Sequence, residues 1–192
     1  MKYLNSNYSV GKDWSENENQ DKILEGTGSL VLDRANRIAY VTESERSSAD
    51  LARQWAESHN YELVLVKAFD ENRKSIYHTN VVLAVGSSFA VIASESIDQS
   101  DRNRILDKLK ETKTVIEITF EQLRHFCGNI LEVQGKDGKK VLVMSSQAYN
   151  FFSEEQKNAF KRLGIDRIIH SDISLLEKIG GGSARCMMAE LY

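Results

Sequence analysis

The feature that most restricts the fold is a strand–strand–helix–strand order that the sequence runs through three times. Ser29-Leu-Val-Leu-Asp33 and Arg37-Ile-Ala-Tyr-Val41 are short apolar runs joined by Arg34-Ala-Asn36, a hairpin signature. A helix fits Ser48 to Ser58, with Ser48 as N-cap and Leu51 and Trp55 on one face, and Tyr61-Glu-Leu-Val-Leu-Val66 closes the unit as a third strand. The order returns with strands over 81–85 and 90–93, a helix over 101–109 and a strand over 114–118. It returns again with strands over 130–133 and 141–144 around the turn Gly135-Lys-Asp-Gly138, a helix over 154–163 and a strand over 166–169. A fourth copy is expected to begin at Ala184 and to run for one strand.

Gly28, Asn80, Asn129 and Ser183 each precede the first strand of a copy, at intervals of 52, 49 and 54 residues. One such unit cannot bury its own apolar face, so repeats of this length pack side by side into a propeller or similar closed array. The expected fold class is α/β, a ββαβ-repeat α/β propeller that is incomplete, with about three units plus the first strand of a fourth. In that array the starts of the first strands converge on the axis, and residues far apart in sequence meet there.

The converging positions hold Glu25-Gly-Thr-Gly28, His78-Thr-Asn80, Cys127-Gly-Asn129 and Gly182-Ser-Ala-Arg-Cys186. A carboxylate, an imidazole and a thiol are the parts of a covalent hydrolase. An isolated cysteine is usually a small core residue, and Cys127 is read that way. Cys186 follows Gly180-Gly-Gly182, a backbone path closed to other residues that lets another molecule come near. The segment lacks the Gly-Lys-Ser/Thr ending of a phosphate loop, which argues against nucleotide binding. His78 starts its unit's first strand opposite this segment. His59, His125 and His170 lie near element ends and are read as structural.

Composition narrows the partners. The 192 residues carry a formal net charge of −3, with Lys and Arg scattered, so neither nucleic acid nor an anionic membrane surface is an expected partner. No apolar run approaches the roughly 18 residues that span a bilayer, and the first ten residues lack a signal-peptide core, so a cytoplasmic location is expected. The two cysteines are far apart and in no metal-ligand spacing. No metal and no cofactor are expected, and a small molecule is the expected partner.

The segments Leu24-Glu-Gly-Thr-Gly-Ser29, Ile76-Tyr-His-Thr-Asn-Val81 and Gly180-Gly-Gly-Ser-Ala-Arg-Cys186-Met together resemble the pentein, or guanidino-group-modifying, superfamily. Within it they are most similar to the amidinotransferase-like branch that includes the citrulline-utilisation hydrolases. The resemblance runs from about Leu24 to the C-terminus. It implies a ββαβ pentein propeller whose central channel holds a Cys nucleophile, a His acid/base and a Glu, roles that fall by motif on Cys186, His78 and Glu25. Asn80, Gly182 and Arg185 are expected to contact the substrate. Relatives carry a further N-terminal portion that completes the ring. On that comparison residues 1–23 are a polar remnant of a preceding unit and residues 24–192 a single pentein-type catalytic domain. Self-association, or pairing with a missing N-terminal part, is then expected.

Asn80 stands where arginine-processing relatives have Asp in a His-x-Asp motif. A fixed guanidinium cation prefers a carboxylate, whereas a neutral ureido group suits an amide. The expected activity is hydrolysis of a non-peptide C–N bond of a ureido or guanidino amino acid, citrulline ahead of arginine, through a covalent Cys intermediate. The alternatives are an amidinotransferase, an arginine deiminase or dimethylarginine hydrolase, and a shortened pentein that binds or assembles without catalysis.

Overall fold

In the computed structural model, which describes Trp14, Asn17, Asn19 and residues 22–190, each repeat of the sequence becomes one small sheet. The first unit opens on a single helical turn, α1 (Gly26–Ser29), followed by the antiparallel hairpin β1 (Leu30–Asp33) and β2 (Ile38–Thr42). Helix α2 (Ala49–His59) starts where the Ser48 side chain accepts from the Leu51 amide, and it returns the chain to β3 (Glu62–Val66), parallel to β2. The second unit repeats this as α3 (Thr79–Val82), β4 (Leu83–Val85), β5 (Phe89–Ile92), α4 (Gln99–Lys110) and β6 (Thr114–Glu117). After α5 (Phe120–Arg124), the third is β7 (Leu131–Gln134), β8 (Lys140–Ser145), α6 (Ser146–Phe151), α7 (Glu154–Arg162) and β9 (Arg167–Ser171). A last helix, α8 (Ser174–Gly180), stops at Gly181, whose φ of 69° completes the C-cap.

In each sheet the middle strand pairs antiparallel with the first and parallel with the third. Those middle strands are covered on both sides. Every residue of β2 and β5 is buried, which explains why they read as continuous apolar runs rather than alternating ones. The largest core runs through all three units, from Tyr40 and Val64 through Phe89 and Ile105 to Leu142 and Phe160. Polar ties reinforce the joins: Lys108 pairs with Glu62 at 3.0 Å, and Lys113 pairs with Asp33 at 3.0 Å in a fully buried ion pair. Among the described residues, no helix is long and apolar enough to cross a membrane.

The structure departs from the periodicity at the unit starts. Val81 and Val82, expected in a strand, complete the turn α3, so that β4 is only three residues long. The expected strand from Ala184 is a 3₁₀ turn, Ala184–Met187, with no strand after it among the described residues. Tertiary bonds explain both changes. The Thr79 hydroxyl donates to the Ser29 carbonyl at 2.5 Å and accepts from the Thr42 amide at 2.7 Å, and the Arg185 amide donates to Asn129 Oδ1 at 3.1 Å. A turn of four residues has too few internal hydrogen bonds to show in the sequence pattern. Most of the 1–23 segment lies outside the described residues.

Candidate active site

Glu25 and His78 occupy matching places, each the residue immediately before a unit's opening turn. Packing α1 against α3 brings them together, and His78 Nε2 lies 2.5 Å from Glu25 Oε2. The imidazole packs against Gly28, where a Cβ would sit 2.8 Å from ring atoms, so the glycine admits the ring. A buried hydroxyl network fixes both turns. Ser29 Oγ accepts from the Glu25 amide at 2.9 Å, Ser47 Oγ donates to Ser29 Oγ at 2.7 Å, and Ser44 Oγ donates to the Tyr77 carbonyl at 2.7 Å.

Arg46 shares the carboxylate. Its guanidinium lies 2.6 Å from Glu25 Oε2 and packs over the Tyr77 ring, 5.0 Å from the centroid. Burial alone would raise the Glu25 carboxyl, but hydrogen bonds from Arg46 and His78 outweigh it and hold the group below its ordinary value. Burial lowers His78, and the Glu25 carboxylate only partly offsets that. A neutral imidazole that donates Nε2–H to Glu25 keeps Nδ1 as an acceptor, the form a general base requires.

Cys186 is exposed on the Ala184–Met187 turn, and its amide donates to the Ser183 carbonyl at 3.0 Å. Ser183 in turn donates to Glu177 Oε1 at 2.5 Å, which ties the thiol-bearing turn to α8. Two buried carboxamides point at the sulfur: Asn80 Nδ2 lies 3.6 Å and Asn129 Nδ2 3.2 Å from Sγ. Gly182 comes so close that a Cβ there would lie 3.1 Å from Cys186 Cβ and 3.2 Å from Sγ. The glycine run therefore has two separate uses, since Gly181 ends α8 and Gly182 makes room beside the thiol.

Four of the six expected site residues divide between two cavities, and Glu25 and His78 line neither of them. Gly182 and Cys186 line one of about 290 Å³, together with Tyr77, Arg124 and Asn129. Asn80 and Arg185 line a larger one of about 480 Å³ on the β1, β4 and β7 faces. The Arg185 guanidinium is turned away from the thiol, donating to the Met188 carbonyl at 2.9 Å and pairing with Glu190 at 2.8 Å. Asn80 lines the larger cavity while its amide reaches the thiol of the smaller one, and its buried Oδ1 has no partner among the described residues.

Cys127 is a core residue: burial pushes its thiol up to about 12, and the group faces the Ala148 carbonyl at 3.5 Å. His59, His125 and His170 stack on Trp55, Phe151 and Tyr149. Arg46, Asn129 and Glu177 hold the site together, yet they escape a reading of the sequence. Only Asn129 carried a signal there, its place at the start of a repeat. Gly128 is what lets Asn129 in, because a Cβ at 128 would lie 2.2 Å from the Val81 carbonyl oxygen. Backbone cannot yield there as a flexible side chain can. Gly128→Ala is expected to destabilise the protein by about 1–3 kcal/mol, read as a lower midpoint in thermal unfolding.

A family model described as N,N dimethylarginine dimethylhydrolase, eukaryotic, matches residues 1–192. No curated protein matches the sequence. Among solved structures, the substrate-bound N-terminal domain of ArgZ, an arginine dihydrolase from the ornithine-ammonia cycle in cyanobacteria, is similar at a TM-score of 0.71 and 19% identity, over 96% of this chain and 60% of that one. AgrE in complex with L-arginine is similar at 0.72 and 19% identity, over 96% of this chain and 25% of that one. SxtG, an amidinotransferase from Microseira wollei in the saxitoxin pathway, is similar at 0.54 and 12% identity, over 83% and 42%. At these identities the likeness is one of fold, and this chain spans 60% of the ArgZ domain's length.

Proposed function

The chain belongs to the eukaryotic N,N-dimethylarginine dimethylhydrolase family of the pentein superfamily, and from that membership we propose that it hydrolyses a C–N bond of a guanidino or ureido amino acid through Cys186. The observation that carries this reading is an exposed thiol with two buried carboxamides aimed at its sulfur, one of them only two residues from the His78–Glu25 pair. A plain core cysteine has no use for such partners.

In this mechanism the Cys186 thiol gives its proton to the free Nδ1 of His78, and the thiolate attacks the central carbon of the substrate and forms a C–S bond. The C–N bond to the leaving amine breaks, and the amine departs with a proton delivered by His78. His78 then takes a proton from water, the hydroxide adds to the same carbon, and the C–S bond breaks to release a ureido product and a thiolate, which takes its proton back from His78. Glu25 holds the imidazole by Nε2. Asn80 Oδ1 accepts a substrate N–H, which would satisfy its unpartnered oxygen.

On charge alone, an amide at 80 favours a ureido group. Its geometry argues otherwise, because its N–H is directed at Cys186 and leaves a carbonyl that suits the N–H groups of a guanidinium. A methylated or unmethylated arginine is therefore the favoured substrate, with citrulline the competitor. The three units are read as blades of an incomplete propeller, residues 24–192 forming one catalytic domain with the large cavity on its axis. The larger cavity's lining by β1, β4 and β7 supports that arrangement.

Release of dimethylamine from dimethylarginine, or of ammonia from arginine, is expected to exceed release from citrulline. Faster turnover of citrulline would reverse the substrate assignment. A second reading, binding or assembly without turnover, is favoured by the exposed Leu175, Leu176 and Ile179 of α8, which would suit a second copy or a chain that supplies further blades. Absence of turnover with all three compounds, together with a dimer in sedimentation, would select it.

A further inference from the structure

We infer that Asn129 is a catalytic residue of this site, its side-chain amide donating to Cys186 Sγ so as to stabilise the thiolate while its carbonyl fixes the turn that carries the sulfur. The inference rests on Cys186 being the nucleophile. Asn129 is 2% exposed, and its whole hydrogen-bonding capacity is directed at the site. Nδ2 donates to Sγ at 3.2 Å and to the Asn80 carbonyl at 3.1 Å, and Oδ1 accepts from the Arg185 amide at 3.1 Å. It thus joins the two segments that flank the thiol.

A neutral thiol is a poor acceptor and a thiolate a good one, so an N–H aimed at sulfur favours the charged form. His78 is engaged with Glu25 instead. Of the two amides, Asn129 is the nearer to sulfur, at 3.2 Å against 3.6 Å for Asn80. It also lines the cavity onto which the thiol opens. An aspartate of the same shape would accept from Arg185 equally well but offer sulfur no donor and add a repelling charge.

Other charged or titratable groups surround the cavity. Asp70, Lys74, Tyr77 and Arg124 line it. Glu177 anchors the adjoining loop, Arg185 precedes the cysteine, and His78, two residues before Asn80 in the chain, stands with its partner Glu25 outside the cavity lining. All of them are retained in an Asn129 variant, so a change there reports the amide.

The test is the pH profile of Cys186 alkylation by iodoacetamide in the full chain, followed by peptide mass mapping, which needs no turnover. Asn129→Asp is expected to move the midpoint upward by at least about one pH unit, a tenfold lower alkylation rate below it, with an unchanged plateau at high pH. Cys127, buried in the core, should stay unmodified and report an intact fold. A midpoint equal to that of the unaltered chain in a folded variant would overturn the inference. Should Asn129→Asp fail to fold, the side-chain amide resonance of Asn129 in the unaltered chain decides. It should follow the Cys186 titration and cease to do so in Cys186→Ser, and an amide signal indifferent to that titration would overturn the inference. A midpoint shift in a protein that turns over none of the three compounds would leave Asn129's stabilisation of the thiolate standing and remove the hydrolase reading with its catalytic use. Turnover with an unshifted midpoint would do the reverse.

Discussion

Cys186→Ser should abolish turnover, by at least about 10³-fold in kcat, while leaving the fold intact. Serine is close to isosteric, and the turn that carries position 186 is held by backbone groups and by Asn129, not by the sulfur. What disappears is the nucleophile. A thiol with pKa about 8.5 already supplies a few per cent of thiolate at neutral pH, whereas a hydroxyl requires a base in direct contact. The hydrogen bonds made to the sulfur come from the Asn80 and Asn129 amides, which are donors and not bases. Steady-state assays with dimethylarginine, alongside thermal unfolding of both proteins, test this. A variant that keeps a tenth of the activity would remove Cys186 from the mechanism, and one that also melts early would be uninformative about chemistry, so Cys186→Ala is the companion.

His78→Gln should lower kcat by about 10²–10⁴-fold with little change in KM, because the same imidazole both protonates the leaving amine and activates water. Its pH behaviour follows from burial. An ordinary histidine titrates at 6.5, and His78 lies lower because burial disfavours the cation more than Glu25 favours it. Below 6.5 the unfolded chain therefore binds a proton that the folded chain declines. Stability from this group is complete above pH 6.5 and is lost as pH falls through the lower folded value. Glu25, also lowered, adds a further loss as pH drops below its ordinary 4.5. Thermal midpoints should accordingly fall between pH 7 and pH 5 in the unaltered chain and fall less in His78→Gln. The acid limb of the kcat profile should lie below 6.5, and a limb above that value would contradict the buried, neutral imidazole.

The three units were legible because their causes are local. Apolar runs such as Ile38–Val41 and Phe89–Ile92, the helix cap Ser48 and the Gly135–Gly138 turn each act within a few residues, where sequence pattern and structure obey the same rule. The spacing of unit starts went further and grouped Glu25 with His78, since repeats that stack in one sense bring equivalent ends together. The unit starts themselves were less legible. Their four-residue turns are too short to nucleate alone and exist because Thr79 reaches Ser29 and Arg185 reaches Asn129, across 50 and 56 residues.

Side-chain direction is what no periodicity encodes. The sequence by itself determined that three ββαβ units would form and which chemical groups would stand at their starts, because hydrophobic period and capping are properties of neighbouring residues. Only the tertiary structure decided that Arg46 would share Glu25 with His78, that Arg185 would turn from the thiol toward Glu190, and that two asparagine amides would face the sulfur. Each of those outcomes depends on close packing between segments far apart in the chain, down to the missing Cβ of Gly128 against the Val81 carbonyl, and contact of that kind is fixed by three-dimensional fit alone.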